Sequence, residues 1–121
     1  MSLPTGICTM IEIKAVIRPA RLEPLRVALR QLPEFPGMSV VRVDGCSATW
    51  VERSEPYTIK RDLLDYTPKV MVMIVAPEEA VEKICTTIHA QAHTGRTGDG
   101  LLWTTRIDSF VRLTSGAEAA E

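Results

Sequence analysis

The stretch Lys69-Val-Met-Val-Met-Ile-Val-Ala-Pro-Glu-Glu79 decides how the chain folds. After the lysine it is continuously apolar and contains several β-branched residues, which is typical of a buried strand. Pro77 then ends the strand, and the two glutamates after it carry the negative charge that is favoured at the start of a helix. The sequence therefore predicts a strand that leads directly into a helix.

Three further strands and one more helix are predicted on either side of this stretch. The strand segments are rich in β-branched residues, and the helical segments carry apolar residues three or four positions apart. The order strand, helix, strand, strand, helix, strand predicts an α+β, ferredoxin-like βαββαβ fold, with one antiparallel sheet and two helices on one face. One domain, residues 1–121, is expected. The strands are predicted over residues 7–17, 38–45, 69–76 and 101–107, and the helices over residues 22–32 and 77–92.

The composition fits a single globular domain and argues against several other classes of protein. The 121 residues are 45% hydrophobic and 24% charged, and the net charge is −1. A near-neutral chain lacks the positive field that draws proteins to nucleic acids or anionic membranes. Its apolar runs are far shorter than the roughly 20 residues of a membrane span. Three widely spaced cysteines and the lack of an export signal predict a cytoplasmic protein.

The third strand also predicts a homo-oligomer. Two helices cover only one face of such a sheet, so residues on the other face should be polar at alternate positions. Residues 70–76 are instead apolar at every position. We therefore expect another copy of the chain to cover the second face of the sheet.

A long polar segment, residues 47–67, separates the second and third strands. It has no sustained periodicity, and structureless connections of this length are usually functional or disordered. Trp50 is a large apolar residue in this segment, and it either anchors a partner protein or folds back onto its own domain. Partner contacts are predicted at Trp50, Arg53 and Tyr57, and the alternative is a solvated extension without a partner.

The strongest local motif is Thr94-Gly-Arg-Thr-Gly-Asp-Gly100. Glycines tolerate positive φ angles and let backbone N–H groups converge on an anion. The motif is not a Walker loop, because no Gly-Lys-Ser/Thr follows, and it is not a Rossmann fingerprint, because it lies between a helix and a strand. From composition alone, both a phosphate-binding loop and an ordinary tight connector remain open.

Other candidates for chemistry carry weaker signals. His89 and His93 are four residues apart on one helix face, which is the spacing of a two-histidine metal site. Because no third ligand is evident, no metal ligands are assigned, and a solvent-facing or loop-capping pair is the other interpretation. Cys46, at a strand end, is predicted to be a small buried residue rather than an oxidation sensor. The chain lacks the common catalytic motifs, so no enzymatic activity is predicted.

Five segments, taken in order and spacing, resemble the PII signal-transduction proteins. They cover nearly the whole chain and lie in register on one βαββαβ plan. The resemblance implies a trimer that binds adenine nucleotides in the clefts between subunits. It also implies that a long loop, here residues 47–67, moves onto a target protein such as a transporter or an enzyme. The segments are Ala15-Val-Ile-Arg-Pro-Ala-Arg-Leu-Glu-Pro-Leu-Arg-Val-Ala-Leu29, Gly37-Met-Ser-Val-Val-Arg-Val-Asp-Gly45, Pro68-Lys-Val70, Ile74-Val-Ala-Pro77 and Thr94-Gly-Arg-Thr-Gly-Asp-Gly100.

The same resemblance implies site residues position by position. One edge of the nucleotide site would come from the second strand and the turn after it, the other edge from the glycine motif, and Arg112 would reach the phosphates. Ala48, Thr49 and Lys69 match positions near the small-molecule effector of the family. A C-terminal tail, residues 113–121, follows. The implied nucleotide-binding residues are Ser39, Gly45, Cys46, Ser47, Thr94, Gly95, Arg96, Gly98, Asp99, Gly100 and Arg112.

Departures from the family pattern change the function that is expected. Leu101 stands where the family has a phosphate-binding lysine and Thr114 where it has a second arginine, so binding should favour ADP or AMP over ATP. Ala48-Thr49 replaces the usual Arg-Gln, and Asp62 replaces the tyrosine that is uridylylated in enteric members. The chain is therefore expected to regulate a target in bicarbonate or nitrogen metabolism, with a small anion such as bicarbonate as effector and no permanent cofactor. The alternative is a metal-responsive or structural trimer, linked to metal efflux, that binds no nucleotide.

Overall fold

The four strands form one sheet in the order β2-β3-β1-β4, and every neighbouring pair is antiparallel. The computed structural model describes residues 8–46 and 66–114. It confirms the predicted α+β, ferredoxin-like arrangement. The elements are β1 (Met10–Ile17), a 3-10 turn (Pro19–Arg21), α1 (Leu22–Arg30), β2 (Ser39–Cys46), β3 (Tyr66–Pro77), a second 3-10 turn (Glu78–Ala80), α2 (Val81–Ala92) and β4 (Gly100–Arg106).

The core lies between the two helices and one face of the sheet. Burial alternates residue by residue along β1, and along β3 from Val70 onward. The buried rows of these two central strands pack against Leu25 and Leu29 of α1 and against Ile84 and Ile88 of α2. Burying one such aliphatic side chain contributes about 1.5–3 kcal/mol to stability. In β1, the alternation of Glu12 and Lys14 with apolar residues therefore indicates which face of the sheet meets the helices.

Each helix follows a strand and a 3-10 turn, with a proline at the junction: Pro19 begins the first turn, and Pro77 ends β3 directly before the second. Glu78 and Glu79 place negative charge near the positive end of α2. The first helix ends at Arg30, two residues earlier than predicted. The physical reason is Pro33, because a proline disfavours helical backbone at the residue before it and cannot donate a helical hydrogen bond itself.

The second helix begins at Val81 rather than at residue 77, because Pro77 ends β3 and Glu78–Ala80 form the 3-10 turn. Two strand starts also differ by more than one residue from the sequence-based expectation. β1 begins at Met10, because Cys8 and Thr9 lie outside the strand. β3 begins at Tyr66, so the last two residues of the predicted long loop belong to the sheet, where Tyr66 pairs with Cys46. These two residues are in strand conformation because β2 extends to Cys46 and pairs with them. The rest of that loop, residues 47–65, lies outside the described residues.

The second face of the sheet is largely apolar, apart from the ion pair of Glu12 and Lys14 on β1, and is only partly covered within one chain. Alternate residues of β3, beginning with Met71, are partly buried. Leu101 and Trp103 of β4 lie on the same face and are 70% and 39% exposed. We call the surface formed by Val16, Val41, Met71, Met73, Val75, Leu101 and Trp103 the open face.

Of the helices in the described part of the chain, none is long and apolar enough to cross a membrane.

Candidate functional site

The glycine motif, residues 94–100, connects α2 to β4 at one end of the sheet. Gly95 and Gly98 have φ angles of 84° and 93°, which side-chain-bearing residues rarely adopt. Gly100 has a φ of 116°, and a Cβ at this position would lie 1.7 Å from the carbonyl oxygen of Val16. The motif therefore needs glycine both for its backbone conformation and for its close approach to β1.

Asp99 holds this loop together from the inside. Its Oδ2 accepts hydrogen bonds from the backbone N–H groups of Thr94 (2.8 Å) and Gly95 (2.9 Å). Its Oδ1 accepts hydrogen bonds from the Thr94 hydroxyl and from Nε of Arg18 (3.1 Å). These hydrogen bonds, first of all the one from the Thr94 hydroxyl, hold the pKa of Asp99 far below its usual range. The ionised carboxylate therefore shapes the loop through protein donors.

Two cations lie beside Gly98, and we call Arg18 and Lys69 the cation pair. Nη2 of Arg18 donates a hydrogen bond to the Thr97 carbonyl (2.7 Å), and Nζ of Lys69 donates one to the Gly98 carbonyl. A Cβ on Gly98 would lie 3.5 Å from Arg18 Nη2 and 3.6 Å from Lys69 Nζ, so both charged groups approach the same backbone. Burial, reinforced by the positive charge of Arg18, lowers the pKa of Lys69. Two cations face the single carboxylate of Asp99, which leaves the cluster with a net positive charge that suits a small anion.

Lys69 was predicted from the sequence, whereas Arg18 was missed. Arg18 follows the last residue of β1, which lies between β3 and β4 in the sheet. Ile17 pairs with Val70 on one side and with Gly100 on the other. Because β1 is antiparallel to both neighbours, its last residue meets the first residue of β4 and the first residue of β3 that pairs with β1. The strand order thus contains the signal that brings Arg18 to the glycine motif.

The structure brings some of the other predicted site residues to this cluster and leaves others apart. At the end of β2, a Cβ on Gly45 would lie 3.1 Å from Cγ of Lys69. Ser39 is six residues away from Gly45 at the other end of β2, or about 20 Å along the strand. Arg112 follows the far end of β4, with its guanidinium carbon 5.5 Å from the centre of the Phe110 ring. The predicted residues Ser47, Ala48, Thr49, Trp50, Arg53 and Tyr57, together with Asp62, lie outside the described residues.

The cysteine and histidine candidates also have definite positions. Cys46 is exposed, so the prediction that it is buried is wrong. The reason is that it is the last residue of β2, which forms an edge of the sheet. His89 and His93 are exposed, and their rings stack with centroids 5.2 Å apart. Across residues 8–46 and 66–114, no group of three or more His, Cys, Asp or Glu side chains is arranged to hold a metal ion.

Comparison with known proteins agrees with the fold, and the matched part of the chain includes the candidate site. The family model "Nitrogen regulatory protein P-II" matches residues 10–117. The nitrogen regulatory protein P-II of Azospirillum brasilense is 30% identical over 112 residues, which are 93% of this chain and 98% of that protein. The nitrogen regulatory protein P-II 1 of Escherichia coli (strain K12) is 32% identical over 109 residues, 90% of this chain and 96% of that protein.

A solved structure, that of Arabidopsis thaliana PII bound to citrate, has the same fold. It matches with a TM-score of 0.70 at 24% sequence identity, covering 91% of this chain and 85% of that chain. The family match includes all four strands, both helices and the glycine motif. From its sequence and from its fold, the chain belongs to the P-II family of signal-transduction regulators.

Proposed function

We propose that this chain is a cytoplasmic regulator that binds an adenine nucleotide at the glycine motif and a small anion at the cation pair. It passes both signals to a target protein through residues 47–67. The observation that carries the proposal is the conformation of the glycine motif. Residues 94–98 are exposed, and positive φ angles at Gly95 and Gly98 leave backbone without side chains for a phosphate to approach.

The proposed nucleotide is ADP or AMP in preference to ATP. Leu101 directly follows the glycine motif and is 70% exposed, so an apolar side chain stands where a cation would hold an outer phosphate. A charged hydrogen bond of that kind contributes about 1.5–3 kcal/mol. A nucleotide with fewer phosphates depends less on such a contact.

The complete nucleotide site is proposed to form between subunits of a homotrimer. Within one chain, Ser39 lies on the opposite edge strand of the sheet from β4, and Arg112 follows the end of β4 that is distant from the glycine motif. A second copy of the chain would supply these residues in a cleft beside the motif. The open face gives such copies an apolar surface on which to pack.

The cation pair is the proposed site of the anionic effector, with bicarbonate as the leading candidate. In the structure, Arg18 and Lys69 each donate a hydrogen bond to a backbone carbonyl oxygen. Both side chains are cations, so an anion can bind them through charge-assisted hydrogen bonds. Lys69 also contacts Gly45, near the end of β2 from which residues 47–65 continue. Anion binding here would therefore act at the base of the segment that contacts the target, and would change the balance between two states of that segment.

Isothermal titration calorimetry with ATP, ADP, AMP and cyclic AMP tests the proposal, each nucleotide alone and with bicarbonate or 2-oxoglutarate. We expect micromolar binding of ADP or AMP that bicarbonate strengthens. Lys69→Ala should still bind nucleotide but lose the effect of bicarbonate. The matched control is Lys83→Ala, which also removes one lysine charge. Lys83 lies on α2 and forms an exposed ion pair with Glu34, so this variant should behave as wild type.

The absence of binding by every nucleotide would contradict the proposal. The glycine motif would then be a connector, and the metal-responsive or structural trimer would become the better interpretation. Nucleotide binding that is the same with and without either anion would retain the nucleotide site and remove the effector site.

A further inference from the structure

We propose that His89 and His93 bind a divalent transition metal ion, such as Ni²⁺, Zn²⁺ or Cu²⁺, and that Asp99 orients His93 for this role. The site is formed by the last turn of α2 and the glycine motif. It requires neither a nucleotide nor an anion, so it stands independently of the function proposed above.

The two imidazoles lie next to each other at the C-terminal end of α2, with His89 in the last turn of the helix and His93 directly after its last residue. They are four residues apart and exposed, with ring centroids 5.2 Å apart and ring planes 10° from parallel. Parallel rings direct their nitrogen lone pairs side by side, so the rings must turn before both nitrogens reach one ion. Rotation about the side-chain torsions of exposed residues allows this movement. Water molecules would occupy the other coordination positions of the ion.

Asp99 is placed to determine which ring nitrogen of His93 carries the proton, and therefore which nitrogen can bind a metal ion. Nδ1 of His93 lies 3.6 Å from Oδ2 of Asp99, within reach of a hydrogen bond after a small rotation. A proton on Nδ1 that faces the carboxylate leaves the lone pair on Nε2. That nitrogen lies beside Gly95, where even a Cβ would be 4.0 Å away. A carboxylate that orients a histidine in this way is the usual second partner of a metal-bound imidazole.

The same three side chains line one cavity between α2 and β4. Its volume is about 150 Å³. Because one water takes up roughly 30 Å³ in the liquid, the cavity has room for an ion with several waters. Neutral imidazole suits Ni²⁺, Cu²⁺ and Zn²⁺ better than it suits Mg²⁺ or Ca²⁺. A bound ion would connect the end of α2, through His93, to the carboxylate that holds the glycine motif.

Titration of the full-length protein with Ni²⁺, without nucleotide, tests this site by calorimetry. We expect binding that His89→Gln and His93→Gln each weaken at least tenfold, because each variant removes one of two protein ligands. Asp99→Asn should weaken binding about 10–100-fold, as loss of an orienting partner does. Thr86→Ala, an exposed position on the same helix, and Cys46→Ser, which removes an exposed thiol, should bind Ni²⁺ as wild type does.

Two results would overturn the proposal. One is Ni²⁺ binding that both histidine variants retain in full, and the other is binding that Cys46→Ser abolishes. Circular dichroism of each variant checks that the fold is retained, which the exposed positions of His89 and His93 lead us to expect. Failure of nucleotide binding in the experiments above would leave this result unaffected.

Discussion

At the scale of single residues, Asp99 determines the shape of the candidate site. Its carboxylate is held by donors from three residues, of which Arg18 lies 81 positions away in the sequence and Thr94 and Gly95 lie in the same loop. Because these donors stabilise the ionised form, the pKa of Asp99 in the folded protein lies below its value in the unfolded chain, which is about 3.9. The ionised carboxylate therefore stabilises the folded state.

This difference in pKa predicts a loss of stability in acid. The contribution of Asp99 is present in full above the unfolded pKa and is lost as the pH falls through the lower folded pKa. We expect the stability of the wild type to fall more steeply than that of Asp99→Asn between about pH 4 and about pH 2. Near neutral pH, Asp99→Asn should melt several degrees lower than the wild type.

Urea unfolding at several pH values measures this dependence. Glu23→Gln is the matched control, because it also removes a paired carboxylate, but the ion pair of Glu23 with Arg26 is exposed on the surface of one helix and such pairs contribute little to stability. The control should follow the wild-type curve closely in acid. Equal pH slopes for the wild type and Asp99→Asn would show that the carboxylate does not hold the loop.

At the scale of secondary-structure elements, the start of β4 depends on one close backbone contact. A Cβ on Gly100 would lie 1.7 Å from Val16 O, an oxygen on the neighbouring strand that cannot move away as a side chain can. Gly37 also has a positive φ, of 107°, but a Cβ there would meet nothing within 4 Å. The two glycines thus separate the cost of the backbone conformation from the cost of the steric clash.

We therefore predict different costs for the same substitution at these two glycines. Gly37→Ala should lower the free energy of unfolding by about 1–3 kcal/mol, the usual cost of a strained φ angle. Gly100→Ala should cost at least about 2 kcal/mol more, because the start of β4 must separate from β1. Urea unfolding of both variants measures the difference. Similar values for both variants would mean that β4 shifts without cost.

The elements were predictable from the sequence to the extent that local periodicity determines them. The alternation in β1, the apolar run in β3 and the apolar stripe of α2 indicate the correct element types, because each pattern reflects burial of one face. The contact between Asp99 and Arg18, and the position of Arg18 at the candidate site, were not predictable in this way. They depend on strand order, which places the end of β1 against the glycine motif, and no local pattern contains that information.

At the scale of the whole molecule, the strand order separates the proposed nucleotide-binding residues within one chain. β2 and β4 form opposite edges of the sheet, and β3 and β1 lie between them. The predicted nucleotide-binding residues come from β2, from the glycine motif before β4 and from the segment after it. Two copies that meet edge to edge would bring such residues together. Covering the apolar open face and completing the proposed nucleotide site therefore both require further copies of the chain.

If the chains assemble through the open face, a charge at Trp103 should prevent their association. Trp103 lies on the open face opposite Lys14 and is 39% exposed, so Trp103→Glu would remove a large apolar contact from the proposed subunit interface and add a charge whose desolvation is costly even beside that lysine. Size-exclusion chromatography with light scattering should give three times the chain mass for the wild type and one chain mass for Trp103→Glu. Val27→Glu, at an apolar residue of α1 that is 49% exposed on the opposite side of the sheet from the open face, is the control and should remain trimeric. A wild-type protein that is monomeric at micromolar concentration would contradict the proposed assembly, and the nucleotide site would then have to form within a single chain.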